Sequence, residues 1–280
     1  MAMHAPLRVQ EVNLTDVELF VQGQAHEVWR LLRAEAPVHW NPGTDAFPGF
    51  WSVTHDADVV AVSRDTTTYS SRRGISMMVD PDDPAPASGA GKMLITIDPP
   101  HHVRLRRLVN KGFTPRMVTH LEPRVRQITH DLLDAVAPRG GCDFVTDMAA
   151  PLPLGVICAM MGVPRADWEL MFTLTNRVLG AEDPEYQSVA GDGRETADQG
   201  LREMFAYFAR LVTARRQAPR DDLLSGLTAA EIDGEALTDE EILYFCYLLI
   251  LAGNETTRNA ISGGMLALCE HPAERARLAA

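Results

Sequence analysis

The sequence lacks the features of several protein classes. Its four cysteines, Cys142, Cys158, Cys246 and Cys269, form no C-x-x-C pair and no Cys/His cluster at zinc spacing, so we interpret them as reduced thiols of the core. The longest apolar run has about a dozen residues, whereas a membrane-spanning helix needs about 20. Residues 1–20 contain no apolar signal segment. We therefore expect a cytoplasmic protein without a membrane anchor.

Positive charge is also scarce. The formal net charge is −12, which argues against general affinity for nucleic acid and leaves partner choice to local patches. With 46% hydrophobic residues in 280 positions, the chain can bury a large core. These bounds favour a globular protein, which we expect to be one domain after a loosely held lead-in over residues 1–20.

Helical spacing and Pro or Gly breaks predict a mainly α protein with a small β-sheet. The predicted helices are 25–35, 56–63, 98–111, 117–136, 151–162, 165–180, 196–217, 222–229 and 238–269. One hairpin is expected from β-type runs at 38–40 and 49–54. Two Gly-containing gaps, 69–97 and 181–200, are expected to be mobile loops. Repeats and βαβ alternation are absent from the sequence.

The last of these helices carries the most informative pattern. Thr238 and Glu241 have capping-box spacing, and no proline follows before Pro272, so the helix is about 45 Å long at 1.5 Å per residue. One of its faces has little bulk because it consists of Leu249, Ala252, Gly253, Thr256 and Ala260. The Thr256 hydroxyl can bond back to the carbonyl of Ala252, which bends a helix and admits water.

Glu255 follows an uncharged run, where an unpartnered carboxylate costs several kcal/mol. It is either solvated by a cavity and used in chemistry, or it pairs with a nearby arginine while Ala252 and Gly253 permit close helix packing. Glu255 and Thr256 are adjacent, so on a regular helix they point apart. They can cooperate only through a distortion or a water molecule.

A second pattern lies in the helix predicted after Asp98-Pro99-Pro100, where Asp98 is expected to cap the first turn. His102 and Arg106 are one turn apart and face the same way. Two such donors suit one or two carboxylates, and arginine can bind a carboxylate with two parallel hydrogen bonds. The alternative is a solvated helix surface.

Together these patterns resemble the cytochrome P450 superfamily of haem-thiolate monooxygenases, of the soluble bacterial type. Ala252-Gly253-Asn254-Glu255-Thr256-Thr257 is similar to the family's A/G-G-x-D/E-T-T/S pattern in a long, late helix. His102, Arg106 and Phe113 match its H-x-x-x-R helix with a Phe seven residues on. Both motifs, separated by a run of predicted helices, carry the resemblance.

The resemblance implies a role for each matching residue. His102 and Arg106, with Phe113 nearby, would bind the propionates of haem b. Ala252 and Gly253 would leave room for oxygen beside the haem, and Glu255 and Thr256 would be catalytic residues that relay protons. Because the haem performs the oxygen chemistry, the protein would position a substrate and control the delivery of protons and electrons.

The resemblance also implies an axial cysteine in a Gly- and Phe-rich loop, preceded by an E-x-x-R helix. None of the four cysteines lies in such a loop. We therefore expect a truncated cytochrome P450 fold that ends before the cysteine-ligand loop, with no metal ligand in this chain. Such a chain is not expected to complete a catalytic cycle.

Partner and substrate predictions rest on local features. Between His101 and Arg126 the only acid is Glu122, so we expect Arg104, Arg107 and Lys111 to help dock a ferredoxin-type redox partner; the alternative is a solvated face. Apolar residues beside the two gaps are interpreted as core or as the lining of a hydrophobic substrate pocket: Met77, Met78, Met93, Leu94, Ile95, Leu174, Val178 and Leu179.

Three functional hypotheses remain open at this point. The first is a haem-dependent monooxygenase that inserts one oxygen atom of O2 into a hydrophobic small molecule. The second is a peroxide-driven haem relative, against which the Glu255-Thr256 pair argues. The third is a cofactor-free helical carrier that holds a ligand in an apolar groove.

Overall fold

The computed structural model describes residues 8–43, 48–74, 89–113, 115–181 and 192–280. The chain divides into two compact units, residues 1–84 and 85–280. None of the described helices is long and apolar enough to cross a membrane. The predicted loop residues Met77 and Met78 and half of the second gap, residues 182–191, lie outside the described residues.

The first unit contains three helices and one hairpin: α1 (Glu18–Val21), α2 (Ala25–Glu35), β1 (Val38–Asn41), β2 (Phe50–Val53) and α3 (Asp56–Arg64). The strands pair antiparallel, with Val38 opposite Val53, so the predicted hairpin is confirmed. The lead-in is not loosely held where it is described, because Val12 and Leu19 are buried against Val28 and Leu32.

The second unit holds the other helices and a short hairpin. The elements are α4 (His101–Gly112), α5 (Pro115–Val136), α6 (Pro151–Met160), α7 (Trp168–Leu179), α8 (Gly193–Gln217), α9 (Leu223–Thr228), β3 (Glu231–Ile232), β4 (Glu235–Ala236), α10 (Asp239–Glu270) and α11 (Pro272–Ala279). The prediction of a mainly α protein with small sheets is confirmed, although α8 begins before residue 196, inside the second predicted gap.

Helix α10 organises this unit because its first half lies in the largest apolar core. Its predicted capping box is present. Thr238 accepts a hydrogen bond from the Glu241 amide, and Glu241 accepts one from the Thr238 amide at 2.8 Å. The helix packs against α6, α8 and a π-helical turn at Val145–Ala149. An element of 32 residues is about 48 Å long at 1.5 Å per residue.

Two local predictions need correction. Helix α4 begins at His101 and its N-cap residue is Pro100, not Asp98. The Asp98 carbonyl oxygen accepts a hydrogen bond from the His102 amide. The hairpin β3–β4 was not predicted, although Asp233 and Gly234 between its strands both have positive φ, as an Asp-Gly type I′ turn requires.

The cysteines are all free thiols, but only two belong to the core. Cys158 and Cys246 are buried, and burial raises the pKa of each thiol to about 12 because the thiolate is poorly solvated there. Cys142 and Cys269 are exposed, so the expectation of four core thiols is wrong for these two.

Candidate active site

The open stripe of α10 carries the predicted catalytic hydroxyl. Phe245, Leu249, Ala252 and Thr256 follow one another at spacings of four, three and four residues, so they lie on one side of the helix. Ala252 and Thr256 are exposed on this stripe. The Thr256 hydroxyl donates to the Ala252 carbonyl oxygen at 2.6 Å, which confirms the predicted back-bond. The exposed part of the stripe, at Ala252 and Thr256, therefore offers one hydroxyl and little bulk.

Gly253 lies on a different side of α10, against α6. A Cβ added there would come within 2.7 Å of Ile157 Cδ1, closer than real Cβ contacts. The structure therefore agrees with the interpretation that Gly253 permits close packing of α10 on α6. Its role beside a cofactor stays a prediction.

Helix α4 presents two different flanks around its buried residues Leu105 and Leu108. At about 100° per residue, His102 and Arg106 share one flank and Arg104 lies on the other. His102 is half-buried and Arg106 is exposed. Within the described part of the chain, neither side chain has a hydrogen-bond or ion-pair partner. Because Arg106 has no partner among the described residues, although the protein is rich in acidic groups, its guanidinium can bind a carboxylate from outside the chain.

Phe113 connects the end of α4 with α10. It is the C-cap residue of α4, and its ring packs edge-on against Phe245 at a centroid separation of 6.0 Å. Phe245 belongs to the same stripe as Ala252 and Thr256. The structure therefore brings the end of α4 against α10 at Phe245, before Thr256 in the same helix. That the donors of α4 and the Thr256 hydroxyl face one site stays a prediction.

Glu255 is turned away from that stripe. Its Oε1 accepts one hydrogen bond from the Arg258 guanidinium and one from Asn259 Nδ2 at 3.3 Å. Both partners lie one turn toward the C-terminus, whereas Thr256 bonds one turn toward the N-terminus. The interpretation that Glu255 pairs with an arginine is thus what the structure shows, and a catalytic role requires the carboxylate to leave this pair.

Asn254 and Arg258 were not singled out by the sequence patterns. Asn254 is only 1% exposed, and its Oδ1 and the Nε of Arg258 are buried atoms without a hydrogen-bond partner among the described residues. The sequence contained one usable signal, because an amide after an uncharged run has the same desolvation cost that drew attention to Glu255.

The basic patch predicted to dock a redox partner is partly used inside the chain. Arg104 donates to Glu235 at 2.6 Å and to Glu241 at 2.8 Å, and Lys111 donates to the Glu231 carbonyl at 2.7 Å. Arg107 stays open, with 61% of its side chain exposed and Asp233 at 4.0 Å. The patch therefore fixes the hairpin β3–β4 on α4, and Arg107 is its most available cation.

The residues proposed to line a substrate pocket are mostly part of the packed core. Met93, Leu94 and Leu174 are buried in the main cluster, and Val178 packs against it; Ile95 and Leu179 are exposed. A separate groove of about 340 Å³ lies among α5, α6 and α7. Its lining includes none of the predicted site residues, so we assign it no role.

Comparison with solved structures decides the family. The chain superposes on a cytochrome P450 of Mycobacterium marinum, solved in complex with pseudoionone, with a TM-score of 0.84 and 33% identity, over 99% of this chain and 68% of that one. The chain belongs to the cytochrome P450 superfamily. A second cytochrome P450, from Bacillus megaterium in complex with testosterone, matches with a TM-score of 0.73 and 32% identity over 90% of this chain and 61% of that one.

Curated cytochrome P450 relatives agree with this assignment. The chain is 40% identical to the methyl-branched lipid omega-hydroxylase of Mycobacterium tuberculosis over 88% of this chain and 58% of the relative. It is 34% identical to the steroid C26-monooxygenase of Mycolicibacterium smegmatis over 96% of this chain and 64% of the relative. The chain thus spans between 58% and 64% of the length of these relatives. No family model matches the chain.

Proposed function

We propose that this cytochrome P450 chain is part of a haem-dependent monooxygenase that inserts one oxygen atom of O2 into a hydrophobic small molecule. The observation that carries the proposal is the exposed stripe of α10 on which the Thr256 hydroxyl is bonded to Ala252 at 2.6 Å, in a helix whose Phe245 packs against Phe113 at the end of α4. A cofactor-free carrier would have no use for His102 and Arg106 side chains that find no partner among the described residues.

The residues present fit a haem. His102 and Arg106 are unpaired donors, among the described residues, on one flank of α4, and they would hold the two propionates. Phe113 would support this edge through its contact with Phe245, while Ala252 and, less directly, Gly253 would leave space over the ring. When bound, the haem supplies the iron at which dioxygen is activated.

The chain's own catalytic groups act on protons. The Thr256 hydroxyl, held by the Ala252 carbonyl at 2.6 Å, is placed to hold a water molecule on the open stripe. Glu255 would exchange protons with that water after leaving Arg258, as a general acid or base that contributes typically 10²–10⁴-fold in rate. This pair favours oxygen activation over a peroxide-driven reaction.

The substrate class follows from apolar surroundings and from the relatives. One curated relative is named for methyl-branched lipids and another for a steroid, and two structural neighbours hold pseudoionone and testosterone. We infer an apolar lipid, sterol or terpenoid-like substrate. A spectral titration in which none of these compounds perturbs the haem band would contradict this inference.

Electrons would come from a ferredoxin-type partner that meets the exposed cation Arg107. Its neighbours Arg104 and Lys111 contribute positive charge while they hold the hairpin. Charge reversal at Arg107 should slow reduction and weaken its dependence on ionic strength, because steering by exposed charges is screened by salt. An unchanged salt dependence would exclude this docking site.

The enzyme proposal is tested first on the gene and then on the protein. The coding sequence beyond codon 280 should encode an E-x-x-R helix and a Cys-bearing Gly/Phe loop. The protein expressed from that whole reading frame should show the thiolate-type absorbance of its reduced carbon monoxide complex. If both are missing, the monooxygenase proposal fails and the cofactor-free carrier is favoured.

A further inference from the structure

The starting observation is a pair of buried polar atoms on α10. Asn254 Oδ1 and Arg258 Nε lie on side chains four residues apart, so they share one face of the helix. Both atoms are buried and lack a hydrogen-bond partner among the described residues. Asn254 is 1% exposed, deeper than any other residue of the polar stretch that follows Leu251.

The two groups are complementary. The amide oxygen of Asn254 is an acceptor, and the Nε–H of Arg258 is a donor. Buried polar groups in proteins are almost always paired, and an internal water molecule supplies the missing bonds where the protein cannot. One water that donates to Asn254 and accepts from Arg258 satisfies both atoms.

The guanidinium of Arg258 also forms an ion pair through its NH2 nitrogen. Its NH2 group is in short contact with Glu255, and 25% of the Arg258 side chain and 33% of the Glu255 side chain are exposed. The Arg258 carbonyl oxygen also accepts from the Ser262 hydroxyl at 2.9 Å. Arg258 therefore has a partner in the half-buried carboxylate at one end of its guanidinium, and a buried Nε without a partner among the described residues at the other.

We propose that Asn254 and Arg258 bind one buried water molecule, and that this anchored arginine is a positioning residue that holds the Glu255 carboxylate away from Thr256. The proposal rests on the proposed function for the role of Glu255, but not for the water site. Glu255 then alternates between an ion pair with Arg258 and the open stripe, and Asn254 sets how firmly the arginine is held.

The structural test is a crystal structure of the whole protein and of its Asn254→Leu variant. The expected result is a water peak within hydrogen-bond distance of both Asn254 Oδ1 and Arg258 Nε, which is lost in the variant together with the fixed position of Arg258. Partnering of either atom by a protein group instead of a water molecule would overturn the proposal, whether or not the protein proves to be a monooxygenase.

The functional test separates positioning from folding. Arg258→Gln removes the group that fixes the resting position of the Glu255 carboxylate, so proton delivery is no longer controlled. Product formed per electron consumed should fall by roughly tenfold to a hundredfold, the cost of a misplaced catalytic group, while substrate affinity is unchanged. Arg258→Lys, which keeps the charge but not the Nε–H, should restore it in part. The matched control is Arg277→Gln, which breaks an exposed i,i+3 pair with Glu274. Equal effects of Arg258→Gln and the control would overturn the positioning role.

Discussion

At the scale of single residues, the site combines groups that are paired inside the chain with groups that are not. Thr256 and Glu255 both have partners on α10. Glu255 must leave Arg258 to act on a substrate-side water, whereas the Thr256 oxygen can accept from a water while its hydroxyl donates to Ala252. His102 and Arg106 have no partner among the described residues, so they lose nothing by binding an external anion. This difference separates groups placed for binding from groups placed for proton exchange.

Arg106→Gln should weaken haem retention with little effect on folding, because Arg106 is exposed and makes no ion pair with the described residues. The measurement is the haem-to-protein ratio after gel filtration, together with the thermal unfolding midpoint. Arg107→Gln, one residue along and on a different side of α4, is the control. Equal retention in both variants would remove Arg106 from the binding site.

At the scale of elements, α10 is fixed by its N-terminal cap and by close packing on α6. Thr238→Ala removes the hydroxyl that accepts from the Glu241 amide at 3.2 Å and should lower the free energy of unfolding by about 1 kcal/mol. Urea denaturation measures this change in the free energy of unfolding. Thr213→Ala removes an exposed threonine hydroxyl within a helix and should cost clearly less; similar losses would show that the cap is unimportant.

Gly253→Ala should destabilise the protein, because its Cβ would meet Ile157 Cδ1 at 2.7 Å and overpacking costs about 1–3 kcal/mol. In an Ile157→Val background, which removes that carbon, the same change should stabilise by up to about 1 kcal/mol, since alanine favours a helix over glycine. The free energy of unfolding is measured for the unchanged protein, the two single variants and the double variant. These values test whether Gly253→Ala changes from destabilising to stabilising. An effect independent of Ile157 would place the constraint on Gly253 elsewhere.

Sequence patterns located most elements because helix starts and stops depend on neighbouring residues. The capping box at Thr238, the hairpin at Val38–Asn41 and the Thr256 back-bond all arise within a few positions. The patterns were incomplete where distant segments decide. The docking role of Arg104 and Lys111 stays a prediction, and their partners inside the chain, Glu235 and Glu231, lie more than 100 positions along the sequence.

At the scale of the whole molecule, an ion-pair network joins α4, the hairpin β3–β4 and the start of α10 through Arg104, which pairs with Glu235 and with Glu241. Burial raises the pKa of Glu241, but hydrogen bonds from Thr238 and Arg104 outweigh it, so the folded pKa lies below the ordinary 4.5. The ionised carboxylate therefore stabilises the fold above its unfolded pKa, and this contribution is lost as pH falls through the folded value.

Glu241→Gln should accordingly lower the free energy of unfolding near pH 7 by about 1 kcal/mol, and its difference from the unchanged protein should shrink in acid. Denaturant midpoints measured from neutral pH down to about pH 3 test this linkage. The exposed Glu270, changed to Gln, serves as control. A difference that stays constant with pH would mean that Glu241 stabilises by packing and not by charge.

The sequence by itself determined the helical class, the bounds of α10 and the two motifs, because capping, spacing and back-bonding are local interactions along one helix. Only the tertiary structure decided what those residues face: Gly253 packs on Ile157, Phe113 meets Phe245, and Asn254 is buried. These contacts join segments that are distant in the chain, and their strength depends on shape and burial, which appear only when the helices pack together.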